Sequence, residues 1–169
     1  MDSRHFSIIG CPGSGKTTFS VTLAEKTGLP LIHLDYYYHQ KKYNYYENKE
    51  AWFAKVRELV KGKEWIIDGN YSSTFEARFA VADIVLWIDL PRPLVLYRLF
   101  KRRLQYRSSV RPDMPPEWKE KIDREFFWYV WKFNKRYKPK IHDVMQKYPD
   151  TKVVKLCSQR DIDEYLRKV

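Results

Sequence analysis

Gly10-Cys11-Pro12-Gly13-Ser14-Gly15-Lys16-Thr17 satisfies the spacing G-x-x-x-x-G-K-[ST] at every fixed position. Glycines in such a run let successive backbone N–H groups turn inward around phosphate oxygens. A helix that begins where the run ends adds its positive N-terminal pole to the same anion. Lys16 is placed to reach the β- and γ-phosphates of a nucleoside triphosphate, and the Thr17 hydroxyl to complete the shell of a Mg²⁺ ion. Outward from this run, His5-Phe6-Ser7-Ile8-Ile9 reads as a short buried strand. Residues 17–26 read as a helix with Phe19, Val21, Leu23 and Ala24 available for packing. A chance Gly-rich turn has no need of a strand before it and a helix after it. Gly10, Cys11, Pro12, Gly13, Ser14, Gly15, Lys16, Thr17 and Thr18 are therefore the expected ATP-binding residues.

The chain has 169 residues, enough for one domain (1–169) around a single sizeable core. Its 44% hydrophobic and 17% aromatic content is that of a globular protein. No apolar run reaches the length of a membrane span, no signal peptide is recognised, and the two cysteines, Cys11 and Cys157, do not form a disulfide framework. A reducing cytoplasm is the expected setting. Cys11, inside the phosphate loop, suggests a site sensitive to thiol reagents. The formal net charge of +11 is concentrated in two groups. One comprises Arg98, Lys101, Arg102, Arg103, Arg107 and Arg111, the other Lys132, Lys135, Arg136, Lys138 and Lys140. Two readings compete for them: a clamp on a phosphate-rich small ligand, or a nucleic-acid surface.

Further along, Leu31-Ile32-His33-Leu34 reads as a second strand ending at Asp35. The aromatic, polar residues 36–46 show neither strand nor helix periodicity. A helix is expected over 47–62, with Trp52, Phe53, Val56, Leu59 and Val60 on one face. Trp65-Ile66-Ile67 and Ile84-Val85-Leu86-Trp87-Ile88 are the third and fourth strands, ending at Asp68 and Asp89. Between them Ser72 or Ser73 caps a helix through Phe79. Pro93 suits the first turn of a helix that carries Leu94, Val95, Tyr97, Leu99 and Leu104 inward and its arginines outward. A proline-bearing loop over 108–116 leads to a long helix with Trp118, Ile122, Phe126, Tyr129, Phe133 and Tyr137 at spacings of three or four, a packing stripe. Pro139 is expected to break or kink that helix. Val153-Val154-Lys155-Leu156 is the last strand, and Ser158 with Asp161 forms a capping box for the final helix. Strands alternating with helices give a three-layer α/β/α fold with a parallel sheet, whose ligands sit at the strands' carboxyl ends.

Asp35, Asp68, Asp89 and the phosphate loop all lie at such ends. Phosphoryl transfer needs a cradle, a metal, and positive charge where the phosphoryl group moves. Asp68, followed by Gly69, is the better metal-shell candidate and Asp89 the second; each is also a usual turn residue. Asp35 is placed to orient or deprotonate an acceptor hydroxyl, or else is a solvated loop carboxylate. Arg98 and Arg102 share a helix face, and with Arg103 and Arg107 are candidates for stabilising the transferred charge beside a lid over about 104–118. The tyrosines at 36–38 and 43–46 either stack on a base or sugar or pack as an ordinary insertion.

These residues resemble the P-loop kinase group that contains adenylate and shikimate kinases, and within it the bacterial DNA topology modulation (FlaR-like) proteins. The resemblance covers nearly the whole chain. Its carrying segments are the loop, Leu31-Ile32-His33-Leu34-Asp35, Asp68-Gly69-Asn70-Tyr71-Ser72-Ser73, Ile88-Asp89-Leu90-Pro91 with Arg98, Lys101, Arg102 and Arg103, and Arg111-Pro112-Asp113-Met114. It implies a five-stranded parallel sheet of order 2-3-1-4-5 and an acceptor-binding region over about 36–62. It also implies an arginine-bearing lid and an adenine-contacting loop near Ser158, Gln159 and Arg160. Nucleoside monophosphate kinases typically continue Asp-Gly with Phe-Pro-Arg, where this chain has Asn70-Tyr71-Ser72. The arginine that would hold an acceptor phosphate is absent. The expected activity is Mg-ATP-dependent transfer to a small molecule, a nucleotide or nucleoside first. The alternative is an ATP-binding, nucleic-acid-associated protein with slow or no hydrolysis.

Overall fold

The computed structural model describes residues 4–40, 45–106, 113–116 and 123–169. Arg107, Arg111, Trp118 and Ile122 lie outside them. Strand β1 (His5–Gly10) pairs in parallel with β3 (Trp65–Asp68) on one side and β4 (Ile84–Ile88) on the other. The edges are β2 (Leu31–His33), on β3, and β5 (Lys152–Leu156), on β4. The sheet is five-stranded and all-parallel in the order β2-β3-β1-β4-β5, as expected. Its central strands are covered on both faces, which is why they read as unbroken apolar runs rather than alternating ones.

Successive side chains of each strand go to opposite layers. Phe6, Ile8, Ile66, Leu86 and Ile88 meet Phe19 and Leu23 of α1 (Lys16–Thr27), Val95 and Leu99 of α5 (Arg92–Gln105), and Ile162 of α7 (Gln159–Lys168). Ile9, Trp65, Ile67, Val85 and Trp87 meet Trp52 and Val56 of α3 (Lys49–Leu59) and Phe75 and Phe79 of α4 (Phe75–Phe79). Helix α6 (Arg124–Lys147) serves both layers: Val130 joins the first cluster, Ile141 and Val144 the second.

That double anchorage explains why α6 runs through Pro139 instead of breaking there. Pro139 is exposed, so the carbonyl left without its N–H partner is on the solvated side of the helix. Other expectations shift locally. The second strand stops at His33, and Leu34 begins a short helix, α2 (Leu34–Tyr38), that takes up part of the aromatic stretch. The third helix starts after Asn48, whose side chain accepts a hydrogen bond from Ala51 N–H, and ends at Leu59. Ser72 and Ser73 belong to a 3-10 turn, Ser72–Thr74, and cap nothing. Tyr97 and Leu104, expected inward, are exposed, as is Val21. Ser158 and Asp161 form the capping box of α7.

Two polar devices fix the frame. Arg78 on α4 is fully buried and donates to Ser7 Oγ (3.3 Å), Gly69 O (2.8 Å) and Tyr71 O (3.3 Å). Burial pulls its guanidinium down to about 9, against the pull of nearby Asp68, so it stays charged at neutral pH. Asp83 accepts from the backbone N–H groups of Arg4 (2.7 Å) and His5 (2.8 Å) at the start of β1. Its partial burial raises the carboxyl's pKa, but these hydrogen bonds and the His5 ring outweigh that and lower it below the ordinary aspartate value. A depressed folded value means stability present above the unfolded pKa and lost as pH falls through the folded one. Asp83→Asn should therefore lower urea stability at pH 7 and flatten its loss below the ordinary aspartate pKa. An unchanged acid limb in the variant would show that Asp83 does not contribute this way.

Candidate active site

Parallel pairing puts every strand's carboxyl end on one edge, and its register sets His33 opposite Asp68 and Asp68 opposite Ile8. A cleft of about 1600 Å³ opens there. The phosphate loop forms its floor. A Cβ on Gly10 would meet Ile88 O at 2.4 Å, and one on Gly13 would meet Leu99 Cγ at 2.6 Å and Val95 O at 2.8 Å. Both residues also hold positive φ, so only glycine fits. Lys16 folds back to donate to Cys11 O (3.1 Å), and Asn70 Oδ1 accepts from Gly10 N–H (3.3 Å). Pro12, Ser14, Gly15 and the exposed Thr18 line the cleft. Cys11 does not. Burial pushes its thiol up to about 12, outweighing Lys16, which disfavours the thiolate with which a thiol reagent would react.

Beside the loop, Thr17 Oγ1 lies 3.1 Å from Asp68 Oδ2 and 3.2 Å from Asp113 Oδ2. His33 Nδ1 contacts the same Asp68 oxygen at 3.2 Å. Burial disfavours the charged His33 ring, but its bond to Asp68 and the charges of Asp68, Asp113 and Asp35 together raise its pKa. Asp68 Oδ1 is buried with no hydrogen-bond partner, and so is Ser14 Oγ under the loop. The two aspartates expected to compete for a metal are in different surroundings. Asp68 sits in the cleft on Thr17, whereas Asp89 is bound by Lys138 (2.7 Å) and Lys155 (3.0 Å) outside it.

Across the cleft, Asp35 accepts a 2.8 Å hydrogen bond from Tyr71 Oη. Burial, then the adjacent Asp35 carboxylate, push the Tyr71 phenol well above the usual tyrosine range, so it remains a donor. Tyr71 packs with Tyr38 and Trp52 at centroid distances of 4.6 and 4.9 Å. Arg98 reaches Ser14 O (3.1 Å) and Gln159 Oε1 (2.6 Å), linking loop, α5 and α7. Arg98, Lys101, Arg102 and Gln159 line the cleft; Arg103 does not. Ser158 is occupied in capping α7, and Arg160 pairs with Glu164 at the surface, away from the cleft. Arg98, Lys101 and Arg102 of the first basic group are turned to the cleft, and Lys138 of the second pairs with Asp89. Tyr129 and Tyr137, read as packing residues, also line the cleft.

Sequence reasoning gave no role to His33, Asn70, Tyr71, Arg78 or Asp113. The Asn70-Tyr71 and Asp113 segments did stand out in the family resemblance, the one signal pointing to them. The residues fit Mg-ATP: a loop with no room for a side chain at Gly10 or Gly13, an unpartnered buried carboxylate oxygen, and cationic side chains lining the cleft. A Mg²⁺ ion there would be held by Thr17 and Asp68.

No family model matches the sequence, and no curated protein matches it significantly. Solved structures do match its fold. A shikimate kinase from Bacteroides thetaiotaomicron is 14% identical with a TM-score of 0.63, covering 98% of this chain and 95% of that one. A deoxyadenosine kinase from M. mycoides with bound dATP is 15% identical with a TM-score of 0.59, covering 98% of each. A sugar kinase from Janibacter sp. HTCC2649 is 17% identical with a TM-score of 0.55, covering 98% of this chain and 91% of that one. The chain has the α/β fold of P-loop kinases.

The two cysteines test the loop's packing. Iodoacetamide at pH 8 should label exposed Cys157 at least ~10-fold faster than Cys11, read by peptide mass spectrometry. Equal rates would show that the loop does not bury Cys11.

Proposed function

We propose that the protein is a Mg-ATP-dependent phosphotransferase acting on a small hydroxyl-bearing acceptor. The observation that carries this is the single cleft in which the phosphate loop, the Thr17–Asp68 pair and Arg98 face Asp35 held by Tyr71. The loop N–H groups and Lys16 bind the β- and γ-phosphates. Mg²⁺, held by Thr17 and Asp68, would neutralise phosphate charge. Arg98 and Arg102 stabilise charge on the moving group; Arg103 and Arg107 remain candidates by position. Asp35 takes the proton of the acceptor hydroxyl. The acceptor's oxygen bonds to the γ-phosphorus as the bond from that phosphorus to the bridging oxygen breaks, releasing ADP.

Likeness to kinases named for shikimate, deoxyadenosine and a sugar supports a small-molecule acceptor. Tyr38, His39, Tyr46, Tyr71 and Ser72 line the cleft with Asp35, and Asn70-Tyr71-Ser72 after Gly69 carry no arginine. That lining suits an uncharged, ring-bearing acceptor such as a nucleoside better than a monophosphate. The topology-modulation resemblance rests on the Asp68-Gly69-Asn70-Tyr71 and Arg111-Pro112-Asp113-Met114 segments and names no different reaction.

The test is γ-labelled ATP with Mg²⁺ against nucleosides, nucleoside monophosphates and small hydroxyl metabolites. Transfer should appear with at least one nucleoside-like acceptor and vanish in Lys16→Ala. Normal turnover in that variant, or ATP binding with transfer to nothing, would overturn the proposal. Tyr71→Phe should cost about 1 kcal/mol, roughly a 5-fold fall in kcat/KM for the acceptor, with KM for ATP unchanged. An equal rise in both KM values would mean that Tyr71 acts on the whole cleft rather than on Asp35.

A further inference from the structure

We infer that Asp113 is a second protein carboxylate of the metal shell, standing with Asp68 around the Thr17 hydroxyl. The inference rests on reading this cleft as a Mg-nucleotide site. Asp113 lies 96 residues beyond Thr17 in the chain and is 5% exposed, as is Asp68. Thr17 Oγ1 is within hydrogen-bond distance of an oxygen of each. A hydroxyl has one proton, so it donates to one carboxylate at a time, and the other oxygen faces its lone pairs. Two buried anions sharing one hydroxyl repel, strongly so where water is scarce. His33 contacts the Asp68 oxygen that Thr17 already uses.

The independent observation is on Asp68. Its Oδ1 lies in the same buried site, with no hydrogen-bond partner. A buried carboxylate oxygen without a donor is costly unless a cation or ligand completes it. A divalent cation beside Thr17 would do so and would relieve the repulsion between Asp68 and Asp113. Mg²⁺ is characteristically held by one or two carboxylates, with waters and substrate phosphates making up the octahedron. Among the described residues there is no cluster of three or more His, Cys, Asp or Glu set to hold a metal. The arrangement thus suits a metal that arrives with the nucleotide.

The experiment uses the full chain with Mn²⁺ as the probe. Free Mn²⁺ is titrated by electron paramagnetic resonance in the presence of a non-hydrolysable ATP analogue, and analogue affinity is measured separately in EDTA. Asp113→Asn should weaken Mn²⁺ binding to the complex by about 10-fold or more, while analogue affinity in EDTA stays the same or rises. Asp113→Glu should restore part of the metal affinity. Mn²⁺ affinity within 2-fold of the parent would overturn the inference. So would a parallel fall of analogue affinity in EDTA, the signature of a purely structural role. A measurement on the unaltered protein does not depend on a variant folding: bound Mn²⁺ should broaden the ¹³C carboxyl resonances of Asp113 and Asp68 alike, and broadening of Asp68 alone would overturn it. A parent that binds no analogue with or without metal would instead overturn the nucleotide reading of the cleft.

Discussion

The phosphate loop lies so close to β4 and α5 that two of its residues have no room for a side chain. Gly10 is pressed on the backbone of Ile88, and Gly13 on Leu99 and Val95. This contact sets where α1 starts, and therefore where its N-terminal N–H groups point. It also sets the distance from the loop to α5, so that Arg98 can reach Ser14 and Gln159. The parallel sheet adds the second constraint. With β1 between β3 and β4, the ends of three strands open onto one edge, and the site is assembled from segments far apart in the chain.

The cleft carries charge of both signs. Lys16, Arg98, Lys101 and Arg102 line the cleft together with Asp35, Asp68 and Asp113. Asp68 and Asp89 show how much environment decides. Both follow apolar strands, yet Asp89 is neutralised by Lys138 and Lys155, and Asp68 keeps one oxygen without a partner. A carboxylate whose charge two lysines already answer has less to offer a metal than one with a buried oxygen left unpartnered.

The acceptor side is tied to the same frame by the buried Arg78. Through Gly69 O and Tyr71 O it fixes the turn that leaves β3, and through Ser7 Oγ it is anchored to β1. Tyr71 then aims its hydroxyl at Asp35, and Asn70 receives the Gly10 N–H. One buried guanidinium thus connects the phosphate loop's own strand to the residue proposed to take the acceptor proton.

Much of the fold was legible because it depends on local pattern. Runs such as Ile66-Ile67 and Ile84–Ile88 announce strands buried on both faces, the glycine spacing announces the loop, and Ser158 with Asp161 announces the last helix. Elsewhere local signals misled because distant packing overrode them. Pro139 sits on the solvated side of a helix held at both ends, and Tyr97 points outward despite its apolar ring. The sequence by itself determined the parallel α/β architecture and the phosphate loop, since hydrophobic period and glycine geometry act within a few residues. Only the tertiary structure decided that Asp68 rather than Asp89 meets Thr17, that Tyr71 holds Asp35, and that Asp113 joins them. Those pairings span 36 to 96 residues, and no spacing rule reaches across a sheet.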